Sequence, residues 1–449
     1  SDVYKRQVRE QWNTRAGFVL ATIGSAAGLG NIWRFSYVAG ENGGAAFLLI
    51  YIVCVAVLGL PLMLGEFCIG RRAQADAVAA FQSGTSRRNW SGAGWLMAFV
   101  SFVLLSYYAV IAGWAYKYFV DYLFGSVYRT ESGAISDYFS AFVSNPLEPL
   151  FWQFVVIALT AAVVAAGVKH GIELVNKILM PLLGLMVVLL AAYALSLDGA
   201  RAGLAFLFRP DWTALSQPDV YFAALGQAFF SLGIGAGALL TYGSYTKADQ
   251  KMAPAAVTVA SGDTLFAIVA GLAIFPAVFA FGLDPAHGPA LAFVTLPEVF
   301  NLLPGGRLFA VTFFVLLGMA ALTSAVSILE VPCAVLMRQL QWSRVRTAIV
   351  VAAAAFVAGV PSALGFGAWR EIGLFGMGIL QTIDTIASSI LLPVGGLLIA
   401  LFVGWTWSDE EALRIAGMSD GRPGRAWLFL LRFIAPCLIV LVLLGLLVG

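Results

Sequence analysis

Apolar runs long enough to cross a membrane alternate with short polar segments along most of the chain. A transmembrane helix needs about 17–25 predominantly apolar residues, and eleven runs reach that length with few charges inside them. The pattern therefore predicts an all-α membrane protein with 11 transmembrane helices. The predicted spans are residues 14–38, 44–70, 92–124, 150–168, 172–196, 220–246, 255–282, 306–340, 346–362, 374–405 and 426–448.

The first predicted span carries three glycines in seven residues, Gly24, Gly28 and Gly30. Each glycine costs a helix about 1 kcal/mol relative to alanine, and broken backbone at membrane depth is tolerated only where it lines a cavity or is buried in protein. We therefore predict a helix broken in mid-membrane, with a glycine-rich helix packed tightly on a neighbour as the alternative. The sixth span has a matching glycine-rich segment, from Gly226 to Gly237.

Interrupted spans at matching positions of two halves are typical of secondary transporters built from inverted repeats. The pattern predicts a first repeat over residues 14–196 (helices 1–5) and a second over residues 220–405 (helices 6–10), with helices 1 and 6 broken. Residues 1–13 form an N-terminal segment, and residues 426–448 form an accessory eleventh helix. The apolar piece 290–303 is too short to span, and it predicts a re-entrant or surface helix.

The distribution of basic residues predicts the orientation of the chain in the lipid bilayer. With the N-terminus in the cytoplasm, 19 lysines and arginines fall in inside segments and five in outside loops, which is the bias of the positive-inside rule. Residues 1–13 are then cytoplasmic, and an odd number of spans places the C-terminus outside. We expect a multi-pass protein of the cell's inner (plasma) membrane, a monomer or weak dimer, with no nucleic-acid partner.

Polar side chains inside the predicted spans mark candidate ligands. A charge at membrane depth costs at least about 2.5–3.5 kcal/mol, so Asp263 is expected to face a cation or a polar partner, with a neutral, protonated carboxyl as the alternative. Asn31 and Ser231, beside the glycine segments, offer further oxygens of the kind that hard cations bind. Arg34 and Asp384 are expected to pair as a gate when water is excluded. The sequence contains no His-Glu-x-x-His pair, Gly-x-Ser-x-Gly turn or phosphate loop, so we predict no enzyme activity.

Five motifs spread over nearly the whole chain carry a family resemblance. They are Arg9-x-x-Trp12, the stretch from Gly24 to Phe35, Glu41-Asn42-Gly43-Gly44, Gly59-x-Pro61-x-Met63 with Glu66, and the stretch from Gln227 to Tyr245. In these motifs the chain resembles the neurotransmitter:sodium symporters, and among them the bacterial amino-acid transporters with eleven spans. The resemblance implies sodium-coupled symport of an amino acid into the cell by alternating access.

The resemblance also implies which residues bind two sodium ions and the substrate. The implied first sodium site joins the substrate carboxylate to Ala26, Asn31, Ser231 and Asp263. The implied second sodium site consists of the carbonyls of Gly24, Ala27 and Ala320 with the hydroxyls of Thr323 and Ser324. The implied substrate pocket is formed by Ala26, Gly28, Gly30, Leu104, Tyr108, Phe230, Ser231, Gly233, Ala236, Ser324 and Ile328. The implied gates are Arg34 with Asp384 on the outer side and Arg9 with Tyr245 on the inner side.

Positions at which this chain departs from the family pattern restrict the class of substrate that the resemblance implies. Monoamine transporters carry an aspartate where this chain has Gly28, so the resemblance implies an amino acid whose own carboxylate completes the first site. Chloride-dependent members have asparagine and serine in place of Asp263 and Ala267, so chloride independence is implied. Gly233 and Ala236 are smaller than the usual serine and phenylalanine, which implies a neutral substrate with a bulky hydrophobic or aromatic side chain. A proton-coupled carrier or a substrate sensor of the same fold stays open as the alternative, with Asp263 titrating instead of holding sodium.

Two further features concern the inner side. Family members pair the residue matching Arg9 with an aspartate where this chain has Arg338. Two arginines cannot form an ion pair, which leaves Glu330 or Tyr245 as candidates for the inner gate. Gly171 and Pro181 reproduce a Gly-x9-Pro spacing in the fifth span. In relatives this spacing lets the helix unwind and open the second sodium site inward.

Overall fold

The computed structural model describes residues 10–83, 90–127, 134–247, 250–286, 291–374 and 376–448. These residues form helices and one antiparallel hairpin, in which Gly373 pairs with Gly378 and Leu374 with Met377. The strands are β1 (Gly373–Leu374) and β2 (Met377–Gly378). The helices are α1 (Arg15–Ala26), α2 (Gly30–Glu41), α3 (Ala45–Ala73), α4 (Ala77–Gln82), α5 (Ser91–Phe124), α6 (Ala134–Ser144), α7 (Glu148–Ala165), α8 (Val168–Leu195), α9 (Ala200–Phe208), α10 (Pro218–Leu232), α11 (Ala238–Ser244), α12 (Met252–Ala280), α13 (Thr295–Leu302), α14 (Gly306–Leu340), α15 (Arg344–Leu364), α16 (Ile379–Thr406), α17 (Asp409–Ala416) and α18 (Arg422–Gly445).

Over the described residues, nine helices are long and apolar enough to cross a membrane, and α1 with α2 makes a tenth if the pair is one span. The predicted span 220–246 is present as two shorter helices, α10 and α11, separated by residues 233–237. The predicted span 374–405 begins later, at Ile379, because the hairpin of β1 and β2 precedes it. A count of eleven spans and the inverted repeat over 14–196 and 220–405 therefore stay predictions.

The break predicted in the first span lies between α1 and α2, which are bent by 45° relative to each other. The Gly28 N–H donates to the Ala26 carbonyl at 2.8 Å, so the regular helical hydrogen bonding ends at Ala26. A Cβ atom built on Gly28 would lie 1.9 Å from Ser324 Oγ. Only glycine lets the backbone approach α14 this closely.

The second break joins α10 to α11 through three glycines with left-handed backbone. Gly233, Gly235 and Gly237 have φ angles of +64°, +87° and +83°, a region that glycine adopts without the strain of a side chain. The fully buried Glu66 carboxylate of α3 accepts the N–H groups of Gly235 at 3.1 Å and Leu240 at 3.3 Å. Glu66 thus accepts hydrogen bonds from amides that the broken helix leaves free. These amides need a protein partner because no water is available in the core of a membrane.

A framework of long helices holds the two breaks in place. The two longest, α5 and α14, pack along each other, and α1 packs against α8, α12 and α14. The short α11 packs against α3, where a Cβ atom built on Gly70 would lie 1.9 Å from the Leu240 carbonyl oxygen. Small residues at such crossings allow membrane helices to approach closely. Both irregular segments are therefore enclosed by protein.

Candidate functional site

A cluster of four polar side chains lies beside the first break, in the interior of the protein. The Asp263 carboxylate accepts hydrogen bonds from Asn31 Nδ2 at 2.7 Å, from Ser231 Oγ at 2.8 Å and from the Tyr51 hydroxyl at 3.2 Å. Asn31 Oδ1 also lies within hydrogen-bond distance of Ser231 Oγ, as an alternative acceptor for the same hydroxyl proton. All four side chains are at most 1% exposed. The structure therefore brings together the three side chains predicted for the first sodium site, on α2, α10 and α12.

Tyr51 belongs to this cluster although the sequence analysis did not select it. Its hydroxyl lies 3.3 Å from Ser231 Oγ as well as next to Asp263. The available signal was a tyrosine in an otherwise aliphatic part of α3, because a buried tyrosine hydroxyl needs a polar partner. Ala26, the fourth predicted member, contributes a carbonyl that accepts the Gly28 N–H at 2.8 Å.

The chemistry of this cluster suits a monovalent cation. In the described part of the chain, no group of three or more His, Cys, Asp or Glu side chains is placed to hold a metal ion. A cation at Asp263 would therefore meet one carboxylate and several neutral oxygens, the donor atoms that hard cations prefer. Asp263 accepts three side-chain hydrogen bonds, and none of them comes from a basic residue.

The residues predicted for the second sodium site lie where α1 meets α14. Ser324 Oγ donates to the Gly24 carbonyl at 3.3 Å and to the Ser25 carbonyl at 3.0 Å, while Thr323 Oγ1 donates to the Ala320 carbonyl at 2.9 Å. Ala27, the fifth predicted ligand, is fully buried directly after α1. The geometry connects Gly24 with Ser324 and Ala320 with Thr323, and every oxygen in the set is neutral.

A small cavity of about 40 Å³ lies between the two breaks. It is lined by nine of the eleven residues predicted for the substrate pocket. Of the other two, Gly28 lies against Ser324, and Ser231 belongs to the Asp263 cluster. The lining also includes Ser25, Ala238 and Leu392, which were not predicted. The nine predicted residues are Ala26, Gly30, Leu104, Tyr108, Phe230, Gly233, Ala236, Ser324 and Ile328.

A much larger cavity of about 910 Å³ lies on one side of this pocket, and we call it the vestibule. Arg34 and Asp384 both line it, but no ion pair joins them. Arg34 donates to Gln227 Oε1 and Ser388 Oγ, each at 3.3 Å, and Asp384 accepts the Tyr107 hydroxyl at 2.8 Å. Arg34 and Asp384, the predicted outer gate, therefore do not contact each other in this structure. Each is hydrogen-bonded to other side chains that surround the vestibule.

On the other side of the pocket, a charged cluster closes the protein. Glu330 accepts hydrogen bonds from the Tyr245 hydroxyl at 2.5 Å and from Arg344 Nη1 at 2.8 Å. Arg344 Nε also pairs with Glu10 at 3.3 Å. We call Glu10, Tyr245, Glu330 and Arg344 the closing cluster. Tyr245, which was predicted for the inner gate, belongs to this cluster, whereas the predicted Arg9 lies outside the described residues.

Arg344 and Glu10 were not predicted from the sequence. Arg338, which occupies the position of the family's inner-gate aspartate, does not belong to the closing cluster. Arg338 pairs with Asp76 at 3.3 Å, and its side chain is 55% exposed. The basic partner of Glu330 comes instead from the first turn of α15. The sequence signal for it was a basic residue at the start of a span, fourteen positions after a buried carboxylate.

The Trp12 side chain strengthens the closed side. Its indole N–H donates to the Tyr242 carbonyl at 2.9 Å, and its backbone N–H donates to the Tyr245 carbonyl at 3.0 Å. These bonds tie the segment before α1 to α11. The structure therefore has an open vestibule on one side of the pocket and a closed layer on the other.

The chain is similar to known proteins over nearly its whole length. The chain matches the profile of the Sodium:neurotransmitter symporter family over residues 9–131 and 145–448. It is 41% identical over 441 residues to an uncharacterised sodium-dependent transporter, YhdH, of Bacillus subtilis (strain 168), covering 97% of both chains. An uncharacterised sodium-dependent transporter of Haemophilus influenzae is 32% identical over 446 residues, again 97% of each.

A solved structure is also similar. The crystal structure of MhsT in complex with L-phenylalanine superposes with a TM-score of 0.93 at 51% identity, covering 97% of this chain and 99% of that chain. The profile match spans nearly the entire sequence, and the two relatives are aligned over almost their whole length. The chain therefore belongs to the sodium:neurotransmitter symporter family, a family of sodium-dependent transporters and not of enzymes.

Proposed function

We propose that this transporter couples the entry of a neutral, bulky hydrophobic or aromatic L-amino acid to sodium, by alternating access and without chloride. The observation that carries the proposal is the Asp263 cluster, a fully buried carboxylate bonded to Asn31, Ser231 and Tyr51 beside the pocket. A buried charge of this kind needs a counter-charge. Sodium supplies one, and the fixed carboxylate takes the place of a chloride ion.

The glycines of the first break support an amino acid as the substrate. The Cβ atom built on Gly28 lies 1.9 Å from Ser324 Oγ and 3.1 Å from the Tyr108 hydroxyl, so no acidic side chain fits there to hold an amine. A helix end that faces a cavity offers N–H groups and a partial positive charge to a carboxylate. MhsT, the solved relative, binds L-phenylalanine, which is a substrate of the proposed class.

The Phe230 ring connects the lining of the pocket with that of the vestibule. Phe230 lines the pocket, and the Arg34 guanidinium, which lines the vestibule, lies 4.6 Å from the centre of its ring. The cavity of about 40 Å³ is much smaller than a bulky amino acid, so Phe230 must move for such a substrate to enter. Beside it, a Cβ atom built on Gly233 meets no atom within 4 Å. That free space is where a large side chain is expected to lie.

Two bound sodium ions set the driving force. Each charge that moves through about 100 mV releases about 2.3 kcal/mol, and a tenfold sodium gradient adds about 1.4 kcal/mol for each ion. Two ions with a neutral zwitterion therefore supply about 7 kcal/mol, which allows at most about 10⁵-fold accumulation. One ion allows several hundredfold, so the accumulation ratio distinguishes the two stoichiometries.

Purified transporter in proteoliposomes is expected to accumulate labelled tryptophan, phenylalanine or leucine only when sodium is outside. Replacing sodium with choline should remove the uptake, because the Asp263 cluster then lacks its counter-charge. Replacing chloride with gluconate should leave it unchanged. Equal uptake in choline and sodium would contradict the proposed coupling to sodium. A loss of uptake in gluconate would contradict only the proposed independence of chloride.

Ala236→Phe is expected to weaken tryptophan binding far more than alanine binding. The new ring would occupy the side-chain end of the pocket, where Ala236 and Gly233 leave space. Differences of a methylene or more in such pockets change affinity about 10–200-fold. Competition against a labelled substrate measures both affinities, and Ala236→Ser, which adds a single oxygen atom, is the matched control. An equal loss for both ligands would indicate general damage instead of a change in pocket size.

A proton-coupled carrier is the second candidate, favoured by the same cluster. Asn31, Ser231 and Tyr51 are neutral partners that also suit a protonated Asp263. Uptake driven by a pH gradient in sodium-free buffer would select this mechanism. Substrate binding without any transport would instead indicate a sensor.

We propose the orientation that the basic residues favour, in the inner (plasma) membrane. The N-terminus and the closing cluster then face the cytoplasm, and the vestibule and C-terminus face outside. In that orientation Arg34 and Asp384 form the outer gate, and their pairing accompanies closure over a bound substrate. The transporter is proposed to act as a monomer or weak dimer.

A further inference from the structure

Asn176 on α8 has a side-chain oxygen without a hydrogen-bond partner. The residue is fully buried, and among the described residues no donor reaches its Oδ1 atom. Its Nδ2 group donates to the Ile172 carbonyl at 2.9 Å, which fixes the amide with the oxygen pointing the other way. Buried acceptors almost always have a partner. An orphan carbonyl oxygen at this depth therefore calls for an unseen ligand.

This oxygen faces the backbone of α1 at the second predicted sodium site. A Cβ atom built on Gly24 would lie 2.1 Å from Asn176 Oδ1 and 2.9 Å from Met180 Sδ. The Gly24 carbonyl is the one that accepts Ser324 Oγ from α14. Helices α1, α8 and α14 pack against one another in all three combinations. The orphan oxygen thus lies against Gly24, whose carbonyl is bonded to the Ser324 hydroxyl of α14.

A second buried amide also has an oxygen without a hydrogen-bond partner among the described residues, but it lies far from the predicted sodium sites. Gln153 on α7 is also fully buried, donates through Nε2 to the Phe356 carbonyl at 3.1 Å, and has an Oε1 atom without a partner among the described residues. It packs against Gly113 and Gly359, away from both breaks. Asn176 differs because predicted cation ligands lie next to it.

We propose that Asn176 Oδ1 is a sixth oxygen ligand of the second sodium site, supplied by α8. The inference rests on the proposed function, because it assumes that the site on α1 and α14 binds sodium. The five predicted oxygens are all neutral, and a further carbonyl oxygen raises the affinity for a hard cation without adding charge. The cation in turn gives Asn176 Oδ1 the partner that it lacks in the protein.

The position of Asn176 links this ligand to the part of α8 that is predicted to unwind. Asn176 lies between Gly171 and Pro181, and its Nδ2 group holds the Ile172 carbonyl in the π-helical turn Val168–Glu173. A π-helical turn has weaker, irregular hydrogen bonding and often marks a functional site. Bound sodium therefore holds this turn against α1, and unwinding of the turn withdraws one ligand from the ion.

The inference is tested with Asn176→Leu, which keeps the side-chain shape and removes both polar atoms. Asn176→Ala is the second variant, and Gln153→Leu is the matched control. Substrate binding to the purified full-length transporter is titrated with sodium chloride, with choline chloride holding the ionic strength. Loss of a metal-site partner changes affinity about 10–100-fold, so both Asn176 variants should need about 10–100-fold more sodium for half-saturation. Gln153→Leu should stay at the wild-type value.

Hydrogen–deuterium exchange over residues 168–181 provides a readout that general destabilisation does not imitate. Sodium without substrate should slow exchange of this segment in the wild type and in Gln153→Leu, but not in Asn176→Leu. Wild-type sodium half-saturation and wild-type protection in both Asn176 variants would overturn the ligand assignment and leave the proposed function intact. Absence of any sodium effect in the wild type would instead overturn the proposed function.

Discussion

Asp263→Asn is expected to abolish sodium-dependent binding and uptake while the protein stays folded. Asparagine has the same shape, and it keeps one oxygen for the Ser231 and Tyr51 hydroxyls, which lie within 3.2 Å of the carboxylate. What it lacks is the charge that faces the ion and the second oxygen, which accepts Asn31 Nδ2 at 2.7 Å in the wild type. Two charges about 4 Å apart attract by about 4 kcal/mol at an effective dielectric constant of about 20. Sodium affinity at this site should therefore fall about 10³-fold.

A sodium titration of labelled-substrate binding measures this loss, and Asp76→Asn is the matched control. Asp76 is also fully buried, and it accepts the N–H groups of Val78 and Ala79 at 3.1 and 3.2 Å. Asparagine keeps that cap, so the control should bind sodium and substrate as the wild type does. A wild-type sodium response in Asp263→Asn would exclude this residue from the ion site. Tyr51→Phe, which removes one neutral hydroxyl, should give a smaller loss.

The elements that local sequence determines were predicted well. Glycines concentrated within an apolar span predicted the break between α1 and α2, because a helix in lipid cannot lose its hydrogen bonds without cost. The same reasoning predicted a break within the segment from Gly226 to Gly237, and the structure has it at Gly233, Gly235 and Gly237, which all have left-handed backbone. The start of α16 was placed too early because Gly373 and Leu374, apolar residues in sequence, pair in a hairpin with Gly378 and Met377.

The members of the site that escaped prediction are joined by contacts between distant segments. Tyr51 meets Asp263 across 212 positions, and Glu10 meets the Val168 amide across 158. Residues so far apart in sequence form no local pattern from which their contact could be predicted. Arg344 was missed because its charge was counted only toward orientation, as one more basic residue at the end of a span. Packing of α14 against α15 is what brings it to Glu330.

Two sets of polar contacts hold the interrupted first span, one at the start of α2 and one just before α1. Asp263 and its partners hold the start of α2, while Glu173 on α8 accepts the backbone N–H groups of Asn13 at 2.7 Å and Thr14 at 3.2 Å, just before α1. Thr14 itself caps α1 through the Gly17 N–H at 2.9 Å. The Asp263 cluster at the break and Glu173 before α1 therefore both hold the first span in its present position. The proposed alternating access would require both sets of contacts to be released.

Arg344→Ala is expected to open the closed side of the protein. The substitution leaves the Glu330 carboxylate, which is fully buried, with the Tyr245 hydroxyl as its remaining described partner. Removing one member of a buried ion pair costs about 3–5 kcal/mol, and a state in which Glu330 reaches water avoids that cost. The equilibrium between closed and open forms should therefore shift more than 100-fold, by about 3 kcal/mol or more. Release of Glu10 from Arg344 adds to the shift.

Hydrogen–deuterium exchange over residues 10–26, in sodium without substrate, measures this opening. Exchange should accelerate strongly in Arg344→Ala, and substrate affinity should fall because the site is then open on the side of the closing cluster. Arg338→Ala is the matched control: its side chain is 55% exposed, and its buried partner Asp76 keeps the N–H groups of Val78 and Ala79 as hydrogen-bond donors, so exchange should stay near the wild-type rate. The double variant Arg344→Ala with Glu330→Gln should recover part of the protection, because no buried charge is then left unpaired. Equal acceleration in the two single arginine variants would mean that the inner gate does not depend on Glu330, and the closing cluster would lose its assigned role.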